Sequence, residues 1–287
     1  MFKSAAKSHI GYVRSCNEDS FIENIELGLW LVADGVGGNA HGDFASQVVA
    51  QTVERKIRLG SSLKEAVEDA HLTIIKLGQD KSDLAGMAST VVAVHFKGTH
   101  YEICWVGDSR VYLINQKDGI RQLTVDHNQA QVLVDTGEIS IEEARLHPSQ
   151  RMLMHAVGIN DADWNVDQLE GELCAGDKLL LCSDGLSGEL QDSEILASFD
   201  QGKPLKLTVE ELLEKALGKG GSDNITLAII ELDRYGVNAS ELDKLSDQKE
   251  TTVNQTVSIT KPKSAFKYMV LGVVAALAVV TIAVWMA

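Results

Sequence analysis

Six short, apolar, β-branched runs (29–33, 90–96, 101–106, 110–114, 178–182 and 225–232) are joined in several places by connections too brief to hold a crossover helix. That limits the chain to largely antiparallel sheets. Lys97, Gly98, Thr99 and His100, for example, link two of the runs as a hairpin turn does. Helices announce themselves around them. Leu63, Val67, Ala70, Ile74 and Leu77 recur at spacings of three and four, behind a Ser62/Glu65 capping box. Val209, Leu212, Leu213, Ala216 and Leu217 do the same behind Thr208 and Glu211, and Ala45, Val49, Val53 and Ile57 predict a helix beginning after Gly42. These stripes read as core faces, and strands with helices packed outside them make an α+β arrangement.

With 287 residues and 45% apolar content, the chain can bury one sizeable core. A formal net charge of −15 argues against nucleic-acid binding, since a phosphate backbone repels an acidic surface. Cys16, Cys104, Cys174 and Cys182 form no CxxC pair, and three lie in strand-like stretches, so buried free thiols are expected. The amino terminus has no apolar core of signal-peptide length, and the bulk of the protein is expected in the cytoplasm. The far end differs. Residues 268–287 carry no charge and are apolar all round. About 20 residues at ~1.5 Å rise match the ~30 Å bilayer core. Lys261, Lys263 and Lys267 precede this run, as expected of a cytoplasmic flank, and Trp285 suits the far interface. A single transmembrane anchor is therefore expected over 268–287, behind a polar, flexible linker at 235–267 and a folded domain at 1–234.

Three apolar runs end alike, in Asp34-Gly35, Asp108-Ser109 and Asp184-Gly185, and Asp223 opens a fourth. Any one such pair is best read as a turn. Four acids at the rims of paired strands would gather at one end of a sheet, where they repel one another and need a cation. Oxygen-only donors select Mg²⁺ or Mn²⁺, and glycine at 35 leaves a carbonyl open to close approach. Such a cluster activates water for hydrolysis and says little about substrate.

The motifs around these acids are more specific. Arg14-Ser-Cys-Asn17-Glu18-Asp19, Asp34-Gly35-Val36-Gly37-Gly38, Gly107-Asp108-Ser109-Arg110, Ser183-Asp184-Gly185 and Ser222-Asp223-Asn224 occur in that order. Together they resemble the metal-dependent protein phosphatases of the PP2C (PPM) family, the bacterial Ser/Thr type, over about residues 1–234. The resemblance implies a four-layer α-β-β-α sandwich with two mostly antiparallel central sheets. It implies two core Mn²⁺ or Mg²⁺ ions and a weaker third. Asp34 would bridge the core ions, with Asp184, Asp223 and the Gly35 carbonyl beside it and Glu18 and Asp19 holding bound waters. Asp108 with Asp184 would take the third ion, Arg14 would grip the substrate phosphate, and Asn224 would orient Asp223. The implied activity is hydrolysis of phosphoserine and phosphothreonine by a metal-activated bridging water, without a phosphoenzyme. The implied partners are phosphoprotein substrates and an opposing Ser/Thr kinase, with a monomeric catalytic domain and no nucleic acid.

Residues 126–158 resemble the family's flap, with capping patterns Asp126/Gln129 and Ser140/Glu143 predicting two short helices. Departures are few. Ala88 and Ser89 replace a glycine and a threonine, and His155 stands where many bacterial members carry arginine. No histidine follows Asp34-Gly35, which shifts protonation of the leaving oxygen toward a metal-bound water; His41 is the alternative acid. Cys16 has no CxxxxxR phosphate loop, so a thiolate mechanism is disfavoured. Two other readings are a non-catalytic phosphoprotein-binding module, which the full set of acids disfavours, and a phosphatase of anti-sigma-factor antagonists, which the intact Arg14 and flap disfavour.

Overall fold

Alternation along the central strands decides the architecture. In the computed structural model, which describes residues 2–36, 41–115, 117–200 and 202–232, the elements in chain order are β1 (Phe2–His9), β2 (Asp19–Asn24), β3 (Leu29–Val36), α1 (Gly42–Arg58), α2 (Leu63–Asp80), β4 (Ala88–Ser89), β5 (Val91–Lys97), β6 (His100–Val106), β7 (Arg110–Asn115), β8 (Gly119–Gln122), α3 (Gln129–Asp135), α4 (Ile141–Ala144), β9 (Asp167–Glu172), β10 (Lys178–Cys182), α5 (Asp184–Ser187), α6 (Asp192–Leu196), α7 (Leu205–Lys219) and β11 (Ile225–Leu232). One sheet runs β1-β11-β10-β7-β8 and the other β2-β3-β5-β6-β9, with β4 paired to β3. Every named pairing is antiparallel.

Both faces of the central strands are buried, which is why they read as continuous apolar runs. Trp30 and Val32 of β3 meet Leu179 and Leu181 of β10 and Ala228 and Ile230 of β11 between the sheets. Leu29, Leu31 and Ala33 point the other way, onto Val49, Val53, Val67 and Ala70 of α1 and α2. On the opposite outer face, Leu180, Leu227 and Ile229 pack against Val209, Leu212 and Ala216 of α7. Three apolar layers thus separate four layers of structure, α-β-β-α. Removing the wholly buried Trp30 ring would cost about 3–5 kcal/mol.

Helix α2 carries the predicted Ser62/Glu65 capping box. Three local readings need correction. Helix α7 begins a turn earlier than Thr208 suggests: Pro204 caps it, and the Thr208 hydroxyl donates back to the Pro204 carbonyl. Asn128, not Asp126, caps α3, because the Asp126 carboxylate is taken by Arg110; the Ser140/Glu143 box of α4 is present. Cys104 and Cys182 are buried, but Cys16 and Cys174 are exposed, since both sit in loops between strands. Residues 235–287, where linker and anchor are expected, lie outside the described residues. Among the described residues no helix is long and apolar enough to cross a membrane.

Candidate active site

Asp34 does not end its strand. β3 continues to Val36, with Asp34 opposite Asp19 of β2 and Gly35 opposite Ser89 of β4. The Asp34 backbone is fixed from both sides. Its N–H donates to Thr90 Oγ1 (3.0 Å), and its carbonyl accepts from Thr90 N–H (2.8 Å) and Ser89 Oγ (3.0 Å). Gly35 is obligatory because a Cβ there would lie 2.1 Å from the Gly42 carbonyl oxygen, where α1 begins. Asp108 follows Gly107, whose φ of 110° only glycine adopts readily, in the turn between β6 and β7. Ser109 ties that turn to the Asp34 scaffold through a 2.8 Å hydroxyl pair with Thr90. Asp184 opens α5, and Gly185 lets the Asn224 carbonyl pass where a Cβ would sit 1.9 Å away.

Here a cleft opens whose walls include Arg14, Glu18, Asp34, Gly35, Asp108, Asp184, Asp223 and Asn224. A second cleft shares Asp108, Asp184 and Asp223 and reaches Asn128 and Gln150 at the flap. The carboxylates hold one another in check. Burial, then the charges of Asp19, Asp184, Asp108 and Asp223, keep Asp34 well above the usual carboxylate range. Asp108 is likewise raised well above it by burial, then by Asp184 and Asp126. Burial and Asp223 raise Asp184, and burial raises Glu18. Among the described residues no group of three or more acidic, histidine or cysteine side chains is gathered to ligand spacing about one point; the acids share a cleft and repel across it. Asp19 Oδ1 and Asp184 Oδ1 are buried without a hydrogen-bond partner. Orphaned carboxylate oxygens within an all-oxygen donor set suit a hard divalent cation.

Asp19 lies behind the cleft, its Oδ2 accepting from Ser183 Oγ (2.9 Å). Burial lifts it to about 7, against the lowering effect of Thr226 and Ser183. Arg14 stands half-exposed at the rim and is ion-paired to Asp223 at 2.7 Å. Asn224 does not orient the Asp223 carboxylate with its side chain. Its backbone N–H reaches Asp223 Oδ1 (2.8 Å), while the side chain ties down the loop that carries Arg14 and Glu18. There Asn224 Nδ2 donates to the carbonyls of Ile10 and Cys16, and Oδ1 accepts the Glu18 N–H.

Arg151 was not singled out by the sequence, yet it lines both clefts at the end of the flap's 3₁₀ turn. A lone arginine in a polar segment offers no pattern to find. His41 caps α1 in the left-handed conformation, and among the described residues no histidine lines either cleft. His155 is half-buried, 3.4 Å from Asp161.

Fold and cleft together define an acid-lined site between two antiparallel sheets, with the guanidinium groups of Arg14 and Arg151 in its walls. The family model for protein phosphatase 2C matches residues 7–217, and the chain belongs to that family. It is 36% identical over 242 residues to the serine/threonine protein phosphatase PstP of Mycobacterium tuberculosis, an alignment covering 82% of this chain and 46% of that protein. The chain therefore spans about half the length of that relative. The serine/threonine phosphatase stp of Listeria innocua is 32% identical over 77% of this chain and 92% of its own length. Among solved structures, the catalytic domain of PstP in complex with two manganese ions matches with a TM-score of 0.71 and 33% identity, over 80% of this chain and 97% of that one.

Proposed function

We propose that this chain is a Mn²⁺- or Mg²⁺-dependent protein serine/threonine phosphatase. The observation that carries the reading is the set of mutually raised carboxylates in and behind a cleft with an arginine at its rim, two of them, Asp184 in its wall and Asp19 behind it, with unpartnered buried oxygens. Family membership and the serine/threonine phosphatases it resembles support the same activity.

Asp34, Asp184, Asp223 and the Gly35 carbonyl would hold two core cations, with Glu18 and Asp19 ordering water around them, and Asp108 with Asp184 would hold a weaker third. When bound, such cations supply Lewis acidity and a water ionised at neutral pH. The protein's own share is placement. Arg14, anchored through one nitrogen by Asp223, keeps further N–H groups for the phosphoryl oxygens and the charge they gain in the transition state. The Thr90 and Ser89 contacts hold Asp34 still while the phosphate is in place. With no histidine in the cleft among the described residues, the leaving serine or threonine oxygen takes its proton from water. A His41→Ala variant therefore keeps its activity on alkyl phosphates; loss confined to alkyl esters would make His41 the acid.

Residues 268–287 are proposed as a membrane anchor, with 1–234 as the catalytic domain on the cytoplasmic face and 235–267 as a tether. The uncharged run behind Lys261, Lys263 and Lys267 supports this. The proposed substrates are phosphoproteins modified by a Ser/Thr kinase. The test of activity is hydrolysis of p-nitrophenyl phosphate and a phosphothreonine peptide across Mn²⁺ and Mg²⁺ concentrations. Turnover abolished by chelation and by Asp184→Ala is expected; inactivity under every metal defeats the reading. Fractionation of the full chain beside a chain ending at Lys267 tests the anchor, and equal solubility removes it.

A further inference from the structure

One side chain beside the clefts is bonded on every edge and has no part in the chemistry proposed above. His127, just before the flap helix α3, grips the Gly107 peptide twice. Its backbone N–H donates to the Gly107 carbonyl (3.0 Å), and its Nδ1 accepts the Gly107 N–H (3.2 Å). An Nδ1 that accepts leaves the ring proton on Nε2, which faces Asp167 Oδ2 at 3.3 Å. The imidazole is thus held in one tautomer by a carboxylate, with its acceptor aimed at the turn that carries Asp108. The ring itself is nearly enclosed, at 12% side-chain exposure, whereas Asp167 is at 43%.

That turn has little slack. Gly107 has φ of 110°, and a Cβ on it would sit 2.7 Å from the Thr90 side chain. The next residue but one, Ser109, pairs with Thr90 Oγ1, the same oxygen that accepts the Asp34 N–H. A continuous chain of contacts therefore runs from Asp167 through His127, Gly107, Ser109 and Thr90 to Asp34. The His127 carbonyl also accepts the Met154 N–H (2.8 Å), which fastens the two ends of the flap where Leu153 lines the cleft.

We infer that His127, oriented by Asp167, is a positioning residue that clamps the Gly107 turn and so sets the separation of the Asp108 and Asp34 carboxylates. The inference rests on the phosphatase reading for what those carboxylates hold, but the clamp itself is a property of the metal-free chain. Asparagine at 127 retains an acceptor at the position of Nδ1, and leucine retains only bulk. Asp167→Ala removes the orienting acceptor at a partly exposed site, so that variant is expected to fold even where a change in the ring does not.

The test compares His127→Leu, His127→Asn and Asp167→Ala in the full chain. Calorimetric titration with Mn²⁺ is paired with amide hydrogen exchange measured without metal. His127→Leu is expected to weaken Mn²⁺ binding by about 10-fold or more. It should also speed exchange at residues 107–109 and at the Asp34 and Thr90 amides, with the remaining strands unchanged. His127→Asn is expected to stay close to wild type, and Asp167→Ala to fall between. Faster exchange spread evenly over the sheets, or equal behaviour of the leucine and asparagine variants, overturns the positioning role. So does an Asp167→Ala protein with wild-type exchange and Mn²⁺ affinity. A wild-type chain that binds no Mn²⁺ defeats the phosphatase reading, and the metal-free exchange pattern then judges the clamp alone.

Discussion

Two groups of buried charge lie side by side in this molecule and are neutralised in opposite ways. Asp126 and Arg110 are 7% and 6% exposed, and each satisfies the other. The Asp126 carboxylate accepts from Arg110 Nε and Nη2, from Gln122 Nε2 and from Asn128 Nδ2, and the remaining Arg110 Nη1 donates to the Tyr112 hydroxyl. Asp19 and Asp108, as deeply buried at 9% and 6%, face other carboxylates instead, and Arg14 and Arg151 stay at the rim. Burying a charge is costly in either case. The first group shows that this fold can place a guanidinium inside when stability requires one. Among the described residues the second group has no such buried partner, as the cation site proposed for those acids requires.

Substitutions should separate the two groups sharply. The largest effect is expected at Asp34. Asp34→Asn should lower phosphatase turnover by about 1,000-fold, since it withdraws several kcal/mol of cation-mediated stabilisation, while metal-free melting temperature holds or rises because one repelling charge is gone. Initial rates and calorimetric melts on one preparation check both. Asp126→Ala should do the reverse, leaving the Arg110 charge buried and unpaired at a cost of about 3–5 kcal/mol of folding stability, measurable by urea unfolding. An Asp126→Ala protein of wild-type stability would erase the distinction between the groups.

A smaller effect sharpens it. Asp19 rises from its ordinary 3.8 to about 7, and Asp34, Asp108 and Asp184 are raised too. The folded chain therefore binds more protons than the unfolded one, so metal-free stability should fall as pH rises through that window. Melts in chelator at pH 5 and 7.5 are expected to show the higher midpoint at pH 5, and excess Mn²⁺ should reverse the order. The smallest effect is at the surface, where Arg58→Ala removes an exposed pair with Glu54 and should change stability by under about 0.5 kcal/mol.

The sequence exposed these regions unequally. Strands buried on both faces, such as Lys178–Cys182 and Ile225–Leu232, were legible to the residue, because apolar side chains fill both of their faces almost throughout. Phe2–His9, Asp19–Asn24 and Asp167–Glu172 were not anticipated: their partly exposed, polar-rich patterns come from edge positions or places beside the site, where tertiary pairing overrides propensity. The acids and Arg14 were legible as motifs. Asp126 reads as a cap in the sequence because its partner Arg110 lies 16 residues away, on β7. The bond from His127 to Gly107 was invisible for the same reason, and Arg151 because its place in the clefts depends on how the flap returns to the sheet.

The claim that the second group of acids is reserved for cations is tested most directly by titrating Mn²⁺ into the metal-free chain near pH 6.5, in buffers of different ionisation enthalpy. Carboxylates whose proton affinity is raised by burial and mutual repulsion give up the protons they hold as the metal enters. Buffer-dependent heats showing net proton release are expected, and they should shrink when Asp34 or Asp184 is replaced by asparagine. Binding without proton release, or unaltered binding in both variants, would contradict that claim.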